Sequence, residues 1–492
     1  MRTIVVGAGI GGLSAACHLA GRGHEVVVVD REAGPGGLAG VVEEAGFRID
    51  SGPTVLTMVD VLERTFGAAG AALEDHVTLR PLDPMYRACF PDGSELRVRH
   101  ERDAMVQEIR AFAGPGEAAA FERFCAWLRE LYELEMPHFI GRNYDSPLDL
   151  VRDPGALVRL VRLGALRRLA PTVARYFTDP RLQRVFSFQS LYAGLSPFEA
   201  LAIYCVITYM DTVEGVYFPD GGMHEVARGL MHAAEKVGAA FEFRSPVDRI
   251  TRRADGSVQG VRLASGELVH ADAVVCNVDV PVAYRSLLGL PPPRVARRGR
   301  YSPSCIVWLA GVRGSLPVNA AHHNIHFGRT WRDAFTALLG RGERMPDPSI
   351  LVTSGTASDP SLAPDGSTSL FVLEPAPNLD GNVDWNAERP RLRDELVHRL
   401  GALGYPVDDV AVERLTDPRD WQAQGLERGT PFALAHRFFQ TGPFRPSNVD
   451  RRVPGLVFTG MSTVPGVGIP MVLISGRLAA DRVDEWGQAR RP

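Results

Sequence analysis

At 492 residues, with 45% hydrophobic and 23% charged side chains, the chain is too long for one compact core and is expected to form two domains able to enclose a large ligand. A formal net charge of −4, with no long block of like charge, argues against a nucleic-acid partner. The 50 glycines and 36 prolines predict many tight turns in an ordered chain rather than disorder.

Thr3 to Val6 is a short β-branched run, Gly7-Ala8-Gly9-Ile10-Gly11-Gly12 a turn, Leu13 to Arg22 a predicted helix and Glu25 to Asp30 a second strand. Met1 and Arg2 lead straight into the first strand, leaving no room for a secretory leader, so a cytoplasmic chain is expected. A second glycine pair, Gly36 and Gly37, precedes the strand-like Gly46 to Asp50 and the segment Ser51-Gly52-Pro53-Thr54. From about Leu56 to Pro219 the text is helical and loop-like, and most of a substrate domain is placed there. Within it, Pro147 to Phe177 is apolar and studded with Arg152, Arg159, Arg162, Arg167, Arg168 and Arg175. On one continuous helix at ~100° per residue, Arg152, Arg159, Arg162 and Arg167 share roughly 140° of arc while Arg168 falls opposite, a moderate signal for docking on anionic lipid. No run approaches the ~20 apolar residues of a spanning helix.

After Gly221-Gly222-Met223 come a predicted helix, Glu225 to Val237, and strands at Phe241 to Phe243, Val247 to Ile250, Gly260 to Leu263, Glu267 to His270 and Ala273 to Cys276, read as a return to the first sheet. Strands at Cys305 to Leu309, Ser349 to Thr353 and Ser369 to Leu373, with a helix at Pro390 to Leu400, give the substrate domain its sheet. The chain closes with the strand Leu456 to Thr459 and the helix Ser475 to Trp486.

The glycines carry the chemistry. Gly7-x-Gly9-x-x-Gly12 follows a strand, opens a helix and is answered by Asp30 at the end of the next strand, the context that makes this motif specific for a dinucleotide. Gly7 permits the tight turn, Gly9 lets backbone approach a diphosphate, and Gly12 lets helix and strand pack closely. The diphosphate sits on the helix N-terminus, with Asp30 placed to accept from the adenosine ribose.

The longer pattern, with Ala16, Leu19, Gly23, Val26, Val28 and Gly36-Gly37 at matching distances, resembles the FAD-containing amine oxidase and phytoene desaturase superfamily. Three segments are similar to bacterial carotenoid desaturases in particular: Asp50 to Leu56, Gly221-Gly222-Met223 with Pro246-Val247 and Asn277, and Thr459-Gly460-Met461-Ser462-Thr463-Val464-Pro465-Gly466-Val467-Gly468-Ile469-Pro470-Met471. His322-His323-Asn324 and Gln440 with Phe444-Arg445-Pro446 are further family-like pieces, whereas Leu38 stands where many members carry Arg or Lys and Met461-Ser462 replaces a smaller pair. The resemblance implies an α/β fold, a Rossmann-like FAD-binding domain of amine-oxidase type with an interleaved α+β substrate domain. The FAD domain is expected in residues 1–80, 221–280 and 446–492, the helical, membrane-facing part of the substrate domain in 81–220 and its sheet in 281–445. The expected FAD contacts, non-covalent, are Gly7, Gly9, Gly11, Gly12, Asp30, Arg31, Gly36, Gly37, Leu38, Gly52, Pro53, Thr54, Val247, Asn277, Gly460, Met461, Gly468, Ile469 and Met471.

The implied reaction is dehydrogenation of a hydrophobic polyene, phytoene towards lycopene, with oxygen or quinone as the final acceptor and peripheral attachment to the inner face of the cell membrane. Hydride leaving an allylic carbon gives a cation delocalised over the conjugated system, so no strong base is required and no catalytic residue is assigned. Asp149, Asp211 and Glu214 are possible proton acceptors that read more simply as solvated surface acids. Phe186, Phe188, Tyr192, Phe198, Tyr204, Tyr209, Tyr217 and Phe218 serve equally as tunnel lining or core. His322, His323 and His326 suggest metal only weakly, because adjacent strand residues point to opposite faces and no carboxylate cluster accompanies them. The six cysteines, Cys17, Cys89, Cys125, Cys205, Cys276 and Cys305, stand singly as core residues of a reducing compartment.

Rival readings stay open. Within the family, a carotenoid ketolase or other polyene oxidoreductase, such as a desaturase acting on a shorter or already modified polyene, is the alternative. A flavin amine oxidase is opposed by the lysine count, since Lys236 is the only lysine and lies on a predicted cofactor-domain helix, and by the absence of cysteine after Cys305. A non-enzymatic isoprenoid-protein escort protein is opposed by the intact glycines and Asp30.

Overall fold

The computed structural model describes residues 1–490. Its first layer is a five-stranded parallel sheet: β1 (Arg2–Val6), β2 (Glu25–Val29), β3 (Ala240–Glu242), β4 (Ala273–Cys276) and β5 (Leu456–Phe458) lie in the order β5-β4-β1-β2-β3. A parallel sheet covered on both faces requires unbroken apolar strands, and Val26 to Val29 and Ala273 to Cys276 are buried without interruption. Helix α1 (Ile10–Gly21) is buried from Ile10 to Ala20 because α2 (His224–Lys236) and α3 (Ile469–Ala489) pack against it from either side. A helix enclosed this way is apolar all round and rich in small residues; Ser14 satisfies its hydroxyl on the Leu473 carbonyl at 2.7 Å.

The second layer is a seven-stranded sheet ordered Val410–Thr416, Ser304–Arg313, Ser367–Ala376, Ile350–Thr353, His323–His326, Tyr86–Cys89 and Glu95–Val98, antiparallel except where His323–His326 meets Tyr86–Cys89. The strand Ser304–Arg313, second in that order and paired on both sides, alternates strictly. Ile306, Trp308, Ala310 and Val312 pack with Leu392, Leu396 and Leu400 of the helix Trp385–Ala402, while Cys305, Val307 and Leu309 face Phe47 and Ile49 of the hairpin Val41–Glu44/Phe47–Asp50. The strand therefore bridges the domain's own core and the cofactor side of the molecule.

Several elements differ from the sequence reading. Val247–Arg252, Val258–Leu263 and Leu268–His270 do not rejoin the first sheet; turns at Gly256 and Gly266 reverse the chain and make a separate three-stranded antiparallel sheet. Tyr86–Cys89 and Glu95–Val98 are strands inside the stretch read as helical. The arginine-rich segment is not one helix: it divides into Pro147–Val151, Pro154–Arg162 and Leu169–Val173, interrupted by Pro154 and by Gly164 at φ +76°, so the computed arc does not apply. The helix read as Pro390 to Leu400 starts earlier, where the Asp384 carboxylate accepts the Asn386 and Ala387 N–H groups. Among the described residues no helix is long and apolar enough to cross a membrane.

Candidate functional site

The glycine residues meet at the N-terminus of α1. A Cβ on Gly12 would stand 2.0 Å from the Gly7 carbonyl oxygen, and a Cβ on Gly9 or Gly11 would come within 2.8 Å of the Asn277 side chain. Gly37 would place one 3.1 Å from the Gly9 Cα, and Gly460 one 2.6 Å from Asn277 Oδ1. Gly7, Gly9, Gly11, Gly12, Gly36, Gly37, Asn277 and Gly460, drawn from four separate stretches, thus form one cradle that side chains would fill. Helix α1 opens on Gly9 with no side-chain cap and no acid in its first turn. Its leading N–H groups and positive dipole end are free for a diphosphate, so the cradle fits the expected cofactor.

Asp30 stands where β2 ends. Its carboxylate accepts the Ala8 N–H at 2.6 Å and the Glu32 N–H at 2.8 Å, fixing it beside the glycine turn with acceptor capacity left for ribose hydroxyls. Val247 is adjacent, because Ser245 and Arg244 donate their N–H groups to the Asp30 and Glu32 carbonyls. Arg31, expected at the cofactor, turns to the surface and donates to the Gln424 carbonyl at 2.8 Å and to Glu32.

On the opposite side of the cradle Leu38 and Met461 join the cluster of Phe47, Val307, Phe371 and Phe432, an apolar wall shared with the seven-stranded sheet. Gly52 is required there: its Cβ would lie 1.7 Å from the Leu38 carbonyl oxygen, which lets Gly52, Pro53 and buried Thr54 run across the Leu38–Ala39 backbone. Gly468, at φ +112°, begins α3, with Ile469 buried and Met471 half-buried in its first turn.

Three buried polar groups escaped the sequence reading as site residues. The Asp50 carboxylate accepts the Met223 N–H at 2.8 Å and the His224 N–H at 3.2 Å, capping α2, and burial pushes its pKa up to about 6. Asp279 accepts the Ser462 hydroxyl and the Glu427 N–H. Arg445 lies beneath the loop that follows Gly460. The only hint to any of them was a position within or beside a family-like segment.

The acids read as solvated are not. Asp211 is buried, its pKa raised far by desolvation, with Gln189 Nε2 at 3.3 Å and the buried Tyr86 hydroxyl, which has no partner, nearby. Glu214 accepts from the Tyr132 hydroxyl at 3.3 Å and is raised to about 7, by burial first and the Asp60 charge second. Asp149 is buried and held below its ordinary range, first by the Asp145 N–H at 2.7 Å. The aromatic set divides: Phe186 is core among Phe121, Phe124 and Phe177, whereas Phe188 meets Tyr86, Tyr192 and Phe327. His322 lies just outside its strand, so its ring contacts that of His323 at 4.4 Å instead of pointing to the opposite face.

With that geometry in place, the model of the flavin containing amine oxidoreductase family matches residues 10–484. The chain belongs to this family. It is 47% identical to the phytoene dehydrogenase of Streptomyces griseus, over 99% of this chain and 96% of that protein. It is 40% identical to the zeta-carotene-forming phytoene desaturase of Myxococcus xanthus, over 99% and 95%. Cyclohexylamine oxidase from Brevibacterium oxydans shares the fold, with a TM-score of 0.61 at 18% identity covering 100% and 99% of the two chains. The protein is an FAD-dependent oxidoreductase with an amine-oxidase-like α/β fold.

Proposed function

We propose that the protein dehydrogenates a carotenoid precursor, taking phytoene towards lycopene, with FAD held non-covalently in the glycine cradle between Asp30 and the Leu38–Met461 wall. The observation that carries this reading is 47% identity along nearly the whole chain to a phytoene dehydrogenase. Bound FAD supplies the acceptor for hydride leaving an allylic carbon. The chain's own part is to bury and orient the polyene, and the apolar wall of Leu38, Phe371, Phe432 and Met461 suits a hydrocarbon. Asp211 is buried, and desolvation raises its pKa well above the ordinary carboxylate range, which agrees with chemistry that needs no strong base. Lys236, the only lysine, lies at the end of α2 with Nζ 3.3 Å from His76 Nε2, away from the cradle, and this supports a polyene over an amine.

A forty-carbon hydrocarbon does not travel free in water, since each CH2 taken from water is worth about 0.8 kcal/mol, so it arrives through a membrane or a partner enzyme, and the membrane is the route taken here. One face suits that delivery: Leu148 is 75% and Phe439 72% exposed, with Val151, Val158, Val161, Leu166 and Phe438 also exposed. Phe438 and Phe439 pack on Phe444, whose turn contacts Pro147–Val151, and Arg152, Arg159 and Arg162 lie among these residues. We place the inner leaflet of the cell membrane against this face, with oxygen or quinone reoxidising the flavin.

The test is anaerobic incubation of the purified yellow protein with phytoene in liposomes, followed by chromatography of the extracted pigments. Flavin bleaching with more conjugated products is expected, and the last product counts the steps, which the Myxococcus relative by name ends at zeta-carotene. Bleaching by added amines with phytoene untouched would replace this reading by amine oxidation.

A further inference from the structure

Arg445 is 3% exposed, yet its guanidinium donates only to main-chain carbonyls. Nε reaches Thr463 at 2.9 Å, Nη2 reaches Met461 at 2.8 Å, and Nη1 reaches Leu434 and Gln440 at 3.1 and 3.3 Å. Among the described residues no carboxylate oxygen lies within 4.0 Å of it. Burial pulls its pKa down to about 10, which leaves it charged at neutral pH. An ion buried without a counter-charge is retained where another charge or dipole offsets the cost.

None of the groups that face it is in ion-pair contact with it. Asp279, an acid close enough to act on its charge, accepts from Ser462 and from the Glu427 N–H, and burial raises its pKa. Glu427 is paired with Arg285. His436 lies against Gly466 and is kept uncharged by burial and by Arg445 itself, and the buried hydroxyls of Tyr204 and Tyr301 are raised above the ordinary tyrosine range.

The two clamped carbonyls belong to the loop that leaves the cradle at Gly460. In a planar trans peptide the N–H points opposite to the carbonyl, so holding the Met461 and Thr463 oxygens aims the Ser462 and Val464 N–H groups away from Arg445. Neither N–H donates to a carbonyl among the described residues. With Asp30 placed for the adenosine end of the cofactor, the ring end would pass Gly460 on the side where Leu38 and Met461 meet. We propose that Arg445 is a positioning residue for the flavin, which aims the Ser462 and Val464 N–H donors at the pyrimidine carbonyl edge of the ring and, as a buried cation behind them with no carboxylate in contact, favours reduced FAD as its anion. The step balances: the substrate C–H bond breaks and its electron pair goes with the hydrogen to FAD, giving FADH⁻. The neighbouring carbon then releases a proton as the new double bond forms, and the negative charge that remains on the ring is the one Arg445 stabilises.

The inference rests on FAD binding and not on the polyene reading, so it is tested without a polyene. The midpoint potential of the FAD-loaded full chain is measured for the natural protein, Arg445→Lys and Arg445→Met. Arg445→Met is expected to lose at least tenfold in its preference for reduced over oxidised FAD, read as a midpoint about 30 mV more negative, and Arg445→Lys to recover most of that shift. An unchanged midpoint in Arg445→Met would overturn the proposal and leave Arg445 as a loop clamp. If Arg445→Met does not retain FAD, the natural protein decides by its potential on the acid side of neutrality. One proton taken up with two electrons gives about 30 mV per pH unit, the expected slope; twice that slope, two protons, means a neutral reduced flavin and sinks the proposal.

Discussion

The cofactor cradle and the region proposed for the polyene are built by different means. The cofactor cradle is mostly main chain: glycines from three stretches close on one another's backbone and on the Asn277 side chain, and an added methyl group has nowhere to go. The half assigned to the polyene is side chain: rings such as Phe188, Tyr86 and Phe327 meet at 5.9 to 6.0 Å, where shape is adjustable. A recurring cofactor is met by fixed backbone, and a hydrocarbon by packing that can be remodelled without dismantling the fold.

The sharpest way to break that contrast is Gly12→Ala. Its Cβ would stand 2.0 Å from the Gly7 oxygen, so α1 must move off β1, at about 3 kcal/mol or more. Flavin absorbance per protein is expected to fall below roughly a tenth of the natural value, each tenfold being about 1.4 kcal/mol, with a lower Tm. A yellow Gly12→Ala protein would show the cradle to be looser than its contacts imply.

The backbone-built half also carries a pH signature. Asp50, which caps α2, titrates ordinarily at 3.8 and is raised to about 6 in the folded chain. Between those values the folded state holds a proton that the unfolded state has lost. Its contribution therefore falls as pH rises from about 4 to about 6 and is flat above. The shift corresponds to roughly 2 to 3 kcal/mol. Thermal unfolding of the natural protein and of Asp50→Asn is expected to show a difference in Tm that changes across this window and not above it; a constant difference would mean that Asp50 stays ionised throughout.

That asymmetry also decides what could be read before folding. Positions where only glycine fits leave a local signature, so Gly7, Gly9, Gly12, Gly37 and Gly460, with Asp30 after β2, were legible, as were the strands of the parallel sheet with their unbroken valines. What depends on distant partners was not. Tyr86–Cys89 becomes a strand by pairing with His323–His326, more than two hundred residues later in the chain. Asp149 and Asp211 look like surface acids until packing buries them. Asp50 has no cap to make until α2 is brought to it, and the segment 147–177 reads as one helix unless the left-handed Gly164 is foreseen.

A smaller effect is expected at the face proposed to meet the membrane. Phe438 and Phe439 are half to three-quarters exposed, and inserting both into lipid would contribute on the order of 2 to 3 kcal/mol. Phe438→Ser with Phe439→Ser should lower partitioning onto anionic liposomes by roughly 30- to 100-fold while flavin content and Tm stay near the natural values. Full co-sedimentation of the double variant would move the docking surface elsewhere.

The mildest change tests the contrast from the other side. Phe188 is half-buried among Tyr86, Tyr192 and Phe327, a contact made wholly of side chains. Phe188→Leu removes part of a ring without introducing polarity, and such an exchange costs about 1 kcal/mol because neighbouring rings can close on the space. Flavin content should not change, since none of the glycine contacts involves this ring. If the ring borders the bound polyene, the distribution of desaturation products should shift, because the chain's reach along the ring face determines which allylic bond is presented to the flavin. Unaltered products would assign Phe188 to the core beside Phe186; loss of flavin would be the more serious result, since it would mean that side-chain packing in the second half is coupled to the backbone cradle of the first.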